Sequence, residues 1–290
     1  MNQPLLPPLT VIGSINLDLI ASTDRLPAAG ETVGRGLLHR QAGGKGANQA
    51  TAAARLGGGV RLIGSIGNDE AGRQLLGTLA ASGVNVADIL LSSQPTGTAL
   101  IVVDRFGENQ IVVCPGANSQ LSLEGISFAD DESVLCQLEN GVDVVLEASR
   151  QHRGYFALNA APAESLPDEL VTRCDLVIVN ETEFALLPEL SNARLVAVTY
   201  GERGSAIYEY GTLVARAAAL PTRVVNTVGA GDAFCSALVL ALRTGHDYHR
   251  ALAAANAVGS DAVRDASSQP RLSSLEHYLE TTRTTPGNRR

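Results

Sequence analysis

Asp232 stands at the end of a glycine turn, Gly229-Ala230-Gly231. The turn follows the β-branched run Val224-Val225-Asn226-Thr227-Val228 and opens into an apolar stretch over 233–242, closed by Gly245. Strand, glycine turn and helix in that order aim backbone N–H groups and the positive end of a helix at an anion. Gly229 and Gly231 permit close backbone approach and unusual φ values. The carboxylate in that first turn has two readings. One is a helix-start residue that suits the dipole. The other is a base beside an anion site, taking the proton from a hydroxyl that attacks a phosphoryl group.

Three more clusters carry polar groups at mouths of the same kind. Ala42-Gly43-Gly44-Lys45-Gly46-Ala47-Asn48-Gln49-Ala50 runs into a helical stretch ending at Leu56-Gly57. It places Lys45 and Asn48 where they can hydrogen-bond a polyhydroxy ligand. It is not a P-loop, because no Lys-Ser/Thr pair ends it, and a tight packing turn accounts for its glycines equally well. After the apolar start Leu9-Thr10-Val11-Ile12, the segment Gly13-Ser14-Ile15-Asn16-Leu17-Asp18 sets Asn16 and Asp18 two apart, on one side of an extended chain. Leu176-Val177-Ile178-Val179 breaks into Asn180-Glu181-Thr182-Glu183 at its carboxyl end, where α/β sheets bind ligands.

In order and spacing these four motifs resemble the ribokinase-like (PfkB-type) carbohydrate kinases, over roughly residues 9–280. Further segments add to the likeness: Gly30-Glu31-Thr32-Val33, Pro115-Gly116-Ala117-Asn118, Gln137-Leu138-Glu139, Asn159-Ala160-Ala161-Pro162-Ala163 and Leu166-Pro167-Asp168-Glu169-Leu170. The resemblance implies ATP-dependent phosphorylation of D-ribose at the 5-hydroxyl. Another pentose, a ketohexose or a nucleoside is the alternative within the class. A non-catalytic sugar-binding regulator is the alternative outside it, though Asp232, Asn180 and Glu183 are all retained.

The resemblance also assigns roles residue by residue. Asp232 is the base, with Gly229, Ala230 and Gly231 as the anion hole. Asn16, Leu17, Asp18, Gly44, Lys45 and Gly46 hold the sugar, together with Ala47, Asn48 and Glu139. Asn180 and Glu183 organise Mg²⁺ and phosphate, Glu183 through water. Thr199, Tyr200, Gly201, Glu202, Arg203 and Gly204 form the nucleotide loop, joined by Gly231 and Asp232, with Asn256 on the adenine side. A monovalent-cation site falls on Asn226, Val228, Ala262, Asp265, Ser267 and Arg271. Here the chain departs from the family. Asn226 stands where the family carries Asp, and Arg271 where small or hydroxyl residues are usual, so potassium is expected to bind weakly or not at all. The interval between Glu183 and the strand at 194–199 is also short by about one surface helix.

The elements that position these residues alternate. Strand-like runs at 60–64, 142–146, 155–159, 175–179 and 194–199 are interleaved with helical stretches such as 69–82. This predicts an α/β fold, a mostly parallel central sheet with helices on both faces. One region breaks the pattern. Residues 98–104 and 109–114 flank Arg105-Phe106-Gly107-Glu108 and read as a hairpin whose strands pair antiparallel. With 32–40 they make a small separate sheet, apolar on both faces. The resemblance implies a β lid from about 14–42 and 96–117 that covers the sugar and clasps a second subunit, all within one kinase domain over 1–290.

Composition narrows the rest. A net charge of −8 argues against nucleic acid as the main partner. No apolar stretch of membrane-spanning length occurs, and the start lacks a basic, then apolar, leader. The four cysteines make no C-x-x-C pair and read as buried reduced thiols, which with the missing leader points to the cytoplasm. The five histidines show no metal spacing and read as surface or loop residues, and the polar end 281–290 reads as frayed.

Overall fold

The computed structural model describes residues 6–282, so the expectation for 283–290 lies outside the described residues. In chain order the first half holds β1 (Leu9–Ile12), β2 (Asn16–Ser22), β3 (Leu37–Gly43), α1 (Lys45–Arg55), β4 (Val60–Gly67), α2 (Glu70–Ala81), β5 (Ile89–Ser92), β6 (Gly97–Val103) and β7 (Asn109–Cys114). Then come β8 (Ser133–Gln137), α3 (Val142–Gln151), β9 (Tyr155–Asn159), α4 (Asp168–Arg173), β10 (Leu176–Asn180), α5 (Glu181–Leu186) and β11 (Leu195–Thr199). The last part holds β12 (Ser205–Glu209), β13 (Thr212–Ala217), α6 (Ala230–Arg243), α7 (Tyr248–Ala262) and α8 (Leu275–Thr281).

Nine strands form the central sheet in the order β13-β12-β11-β10-β9-β8-β1-β4-β5. Pairing is parallel from β5 through β11, and β12 and β13 add an antiparallel edge. The central strands β9, β10 and β11 are near-continuous apolar runs because both faces are covered. Successive side chains feed separate cores. Leu176 and Ile178 of β10 join α1, α6 and α7 on one face, while Val177 and Val179 join α3 and α4 on the other. The predicted mostly parallel α/β sheet with helices on both faces is therefore observed.

Two strand readings are corrected. Residues 142–146 begin a helix, α3, after Gly141 at φ +90°. Val145, Ala148 and Ser149 are its buried positions, a spacing of three and four that only a helix brings to one face. The strand in this part of the chain is instead β8, nine residues earlier than that run, and it pairs with β1. Residues 224–228 are irregular and largely exposed, with no strand to pair with; their backbone N–H groups at 225 and 226 donate to the Val263 carbonyl after α7. The β12–β13 hairpin, which the alternation passes over, closes the sheet edge there.

The second sheet has the order β3-β2-β6-β7. Its hairpin pairs antiparallel from Thr98↔Cys114 to Val103↔Asn109, as expected. Register sorts its two faces. Asp18, Ala99 and Val113 lie abreast on one face; Leu19, Leu100 and Val112 lie abreast on the other. One smaller expectation fails. Cys114, at the end of edge strand β7, is exposed, whereas Cys136, Cys174 and Cys235 are buried thiols. His152, in the loop after α3, is 1 % exposed, its ring 5.5 Å from that of Phe128.

Candidate active site

Chain order switches direction between β1 and β8, and the site lies beyond the carboxyl ends of these strands and their neighbours. Two glycine turns converge there. Gly229 caps α6 at φ +82°, and a Cβ on it would stand 1.9 Å from the Ser268 carbonyl oxygen, so no other residue fits. In the first turn of α6, Asp232 is buried. At the head of α1, a Cβ on Gly46 would meet Gly13 Cα at 2.7 Å, so the helix seats directly on the β1–β2 connection. A Cβ on Gly43 would fall 2.1 Å from the Asp18 carboxylate, and its absence leaves that carboxylate room.

A cavity of about 350 Å³ opens between these turns and the inner face of the second sheet. Asn16, Asp18, Asn48 and Glu139 bring polar atoms to it, Lys45 a cation, and Asp232 the α6 carboxylate. Ala99, Ile101, Ile111 and Val113 wall it from the second sheet. Gly44 lies at its edge, with Asn180, Glu183 and Thr199 at its far end beside Gly229 and Gly231. Leu17, Gly46 and Ala47 do not line it; Leu17 packs on the main core, and Gly46 and Ala47 are buried in the α1 seat.

Each polar group is held. Asn118 Nδ2 donates to Asn16 Oδ1 at 2.7 Å, while its own Oδ1 accepts from the Ile15 N–H at 2.9 Å. Glu139 accepts from Ser14 Oγ and, at 3.0 Å, from the Lys45 backbone N–H. Asn48 Nδ2 donates to Asp232 Oδ2 at 3.1 Å and Gln49 Nε2 to Asp232 Oδ1 at 3.0 Å. Burial, with Glu139 and Asp232 nearby, pushes the Asp18 carboxyl up to about 7. Burial raises Asp232 as well, against the pull of Lys45, Gln49 and Asn48. Burial opposes the charge on Lys45, but Asp232, Glu139 and Glu183 outweigh it and hold its ammonium above the ordinary range.

A second cavity of about 610 Å³ adjoins the first across Thr199, Thr227 and Gly231. Gly201, Glu202 and Gly204 line it from the loop after β11, Ala230 and Phe234 from α6, and Asn256 from α7. The Asn256 amide is already committed, accepting from Ser205 Oγ at 2.9 Å and donating to the Ala217 carbonyl at 3.0 Å. Tyr200 and Arg203 line neither cavity: the Tyr200 hydroxyl meets that of Tyr208 at 2.8 Å, and Arg203 pairs with Glu181 at the surface. Asn180 and Glu183 form a reciprocal capping box at the start of α5, each side chain accepting the other's backbone N–H at 2.8 Å.

Of the residues assigned to a monovalent cation, Val228 lines the first cavity, while Asn226, Ala262, Asp265, Ser267 and Arg271 do not. Asn226 Oδ1 accepts from the Val228 N–H at 3.0 Å and its Nδ2 donates to the Ala266 carbonyl at 2.8 Å. The Asp265 carboxylate accepts the backbone N–H groups of Ser267 and Arg271, at 3.0 and 3.1 Å. Ala262 is buried in the α7 core, and the Arg271 side chain is exposed.

Sequence reasoning passed over several of the residues that hold this site. Gln49, Gln137 and Asn159 form a buried amide chain behind Asp232, and Asn118 clamps Asn16. Arg55, at the end of α1, donates to the Gln269 and Pro270 carbonyls and pins the segment after the cation loop. The available signal was polar residues inside otherwise apolar runs, as at Gln137 and Asn159; their partners are not legible from the run itself.

Comparison with known proteins agrees with this geometry. The pfkB family of carbohydrate kinases matches residues 7–274. A ribokinase from Bacillus subtilis is 36% identical over 93% of this chain and 99% of its own. The crystal structure of a ribokinase from Thermotoga maritima superposes with a TM-score of 0.85 at 27% identity, covering 96% of this chain and 100% of that one. The Arabidopsis thaliana ribokinase structure with ribose and ATP also gives 0.85, at 26% identity, over 97% of this chain and 100% of that one. With its glycine turns, its paired cavities and a match over nearly its whole length, the chain belongs to the pfkB family of carbohydrate kinases.

Proposed function

We propose that this enzyme phosphorylates D-ribose at the 5-hydroxyl with ATP. The observation that carries the reading is the placement of Asp232. It sits in the first turn of α6, where a cavity lined by amides and carboxylates meets a larger one walled by the loop after β11 and by α7. Asn16, Asp18, Asn48 and Glu139 suit vicinal hydroxyls, since each accepts or donates two hydrogen bonds. Asp232 takes the proton from the primary hydroxyl as it attacks, and burial lifts its basicity toward that task. The first-turn N–H groups of α6, exposed by Gly229-Ala230-Gly231, and the Lys45 ammonium face the negative charge of the transferred phosphoryl group. ATP occupies the second cavity, with Gly201, Glu202 and Gly204 along it.

Mg²⁺ fits this arrangement as an ion held mainly by phosphate and water. Among the described residues no three His, Cys, Asp or Glu side chains gather to hold a metal unaided. Glu183 and Asn180 face the phosphate end of the first cavity, which suits an ion contacted through water. When bound, it neutralises phosphate charge. The monovalent-cation residues fit less well. The Asn226 amide is spent within the loop, and Asp265 is the one carboxylate left, already accepting two N–H groups. We therefore take the loop to be ordered by its own hydrogen bonds and by Arg55, with little need of potassium.

The chain works as one kinase unit in the cytoplasm, with the second sheet as a lid over the sugar. The outer face of that sheet exposes Leu38, Leu100 and Val112 at 61, 45 and 60 %, which supports a second copy as its cover. ADP release measured with ribose, 2-deoxyribose, arabinose, fructose and adenosine tests the substrate. Ribose should give the highest kcat/KM, and a ketohexose or nucleoside exceeding it would overturn the reading.

A further inference from the structure

We propose that Gln49 is a positioning residue for phosphoryl transfer: its amide, itself oriented by Gln137 and Asn159, holds the Asp232 carboxylate in the rotation that faces the sugar hydroxyl. The inference rests on the reading of Asp232 as the base. Gln49 is fully buried on α1, one residue past Asn48. Its Nε2 donates to Asp232 Oδ1 and to Asn159 Oδ1, both at 3.0 Å. Its Oε1 accepts from Gln137 Nε2 at 2.6 Å. Asn159 Nδ2 donates to the Ile178 carbonyl at 3.1 Å, which turns Asn159 Oδ1 toward Gln49.

The direction of this chain is forced. Turning the Gln49 amide over would set its oxygen against Asp232 Oδ1 and Asn159 Oδ1, three acceptors with no proton between them. Such a group costs its full desolvation when buried. Asn159 on β9, anchored on the Ile178 carbonyl, therefore sets which end of Gln49 meets the base, and Gln137 on β8 supplies the donor that the outward Gln49 oxygen needs. The same residue also fixes the distance between helices, because its carbonyl accepts from Ser236 Oγ at 2.8 Å, one turn beyond Asp232 on α6. With Asn48 holding Oδ2, both carboxylate oxygens are restrained from α1.

A purely structural amide cluster would use the same bonds, so the test must read the base itself. The charges facing Asp232 are Lys45 on α1, Glu139 beyond β8 and Asp18 on β2, with the Cys235 thiol on α6 and Glu183 on α5 beyond Lys45. Gln49→Met keeps the volume, removes the donor and leaves all of these in place. In the full chain labelled with ¹³C at Asp carboxyls, the Asp232 signal is the one lost in Asp232→Asn. Its titration midpoint should rise by about one pH unit in Gln49→Met, the effect of losing one charge-assisted hydrogen bond. Sugar turnover should fall about 10- to 100-fold, with the sugar KM within about threefold. Gln137→Met, which does not touch Asp232, should shift the midpoint in the same direction by about half as much and add nothing to Gln49→Met. A lowered melting temperature with an unmoved midpoint would overturn the proposal. If Gln49→Met does not fold, Gln137→Met decides, and an unmoved midpoint there overturns it equally. The titration needs no substrate. Failure of ribose as the sugar therefore shows separately, in wild-type turnover.

Discussion

Asp18→Asn should stabilise the unliganded protein, and more so at alkaline pH. The carboxyl is 6 % exposed and lies beside Glu139 and Asp232, which with burial pushes it from 3.8 up to about 7. Between those values the folded chain holds a proton that the unfolded chain has released. Stability therefore falls as pH rises through this window, and the loss is complete above about 7. One pKa unit corresponds to 1.36 kcal/mol, so the raised Asp18 carboxyl lowers stability by about 2 kcal/mol at pH 5 and about 4 kcal/mol at pH 8, relative to strongly acidic pH. Asparagine keeps the shape and carries no charge. The variant's advantage over wild type should grow by about 2–3 kcal/mol between pH 5 and pH 8, or about 5 °C in melting temperature for a chain of this size. Neutralising position 18 also relieves Asp232, which acts in the same direction. The chain has no tryptophan, so calorimetry or circular dichroism is the suitable probe. The difference between variant and wild type cancels the titrating groups that are not coupled to Asp18. A gain that is the same at pH 5 and pH 8, or smaller at pH 8, would refute the reasoning.

Asp232→Asn should keep the fold and ribose binding while turnover falls about 10²–10⁴-fold, as for loss of a general base; unchanged turnover by coupled ADP assay rules out that role. Activity should change little between potassium-free buffer and added KCl at constant ionic strength, because Asn226 and Asp265 spend their acceptors within the loop. A large, saturable rise with K⁺ and none with a bulky organic cation would show the loop does take the ion. Replacing Leu100 and Val112 together by Glu should convert a dimer to a monomer in light scattering, since both lie on the outer face of the second sheet. A wild type that is monomeric at micromolar concentration removes the basis for that interface.

What the sequence determined by itself is local. Gly229-Ala230-Gly231-Asp232 declares a helix start with a carboxylate in it, because the glycine φ and the first-turn geometry are properties of adjacent residues. The apolar runs that became β9, β10 and β11 announce a two-sided sheet for the same reason. The run at 142–146 shows where local reading stops, since a short apolar stretch suits strand and helix alike until its neighbours are known. The rest was settled by tertiary structure. Gln49 meets Asp232 across 183 residues of chain, and Gln137 meets Gln49 across 88. Arg55 reaches the Gln269 carbonyl across 214. The upward shift of Asp18 comes from burial and from Glu139 and Asp232, residues that only the fold brings near it. Hydrogen-bond direction, desolvation and charge coupling depend on distance in space, and sequence separation carries no trace of it.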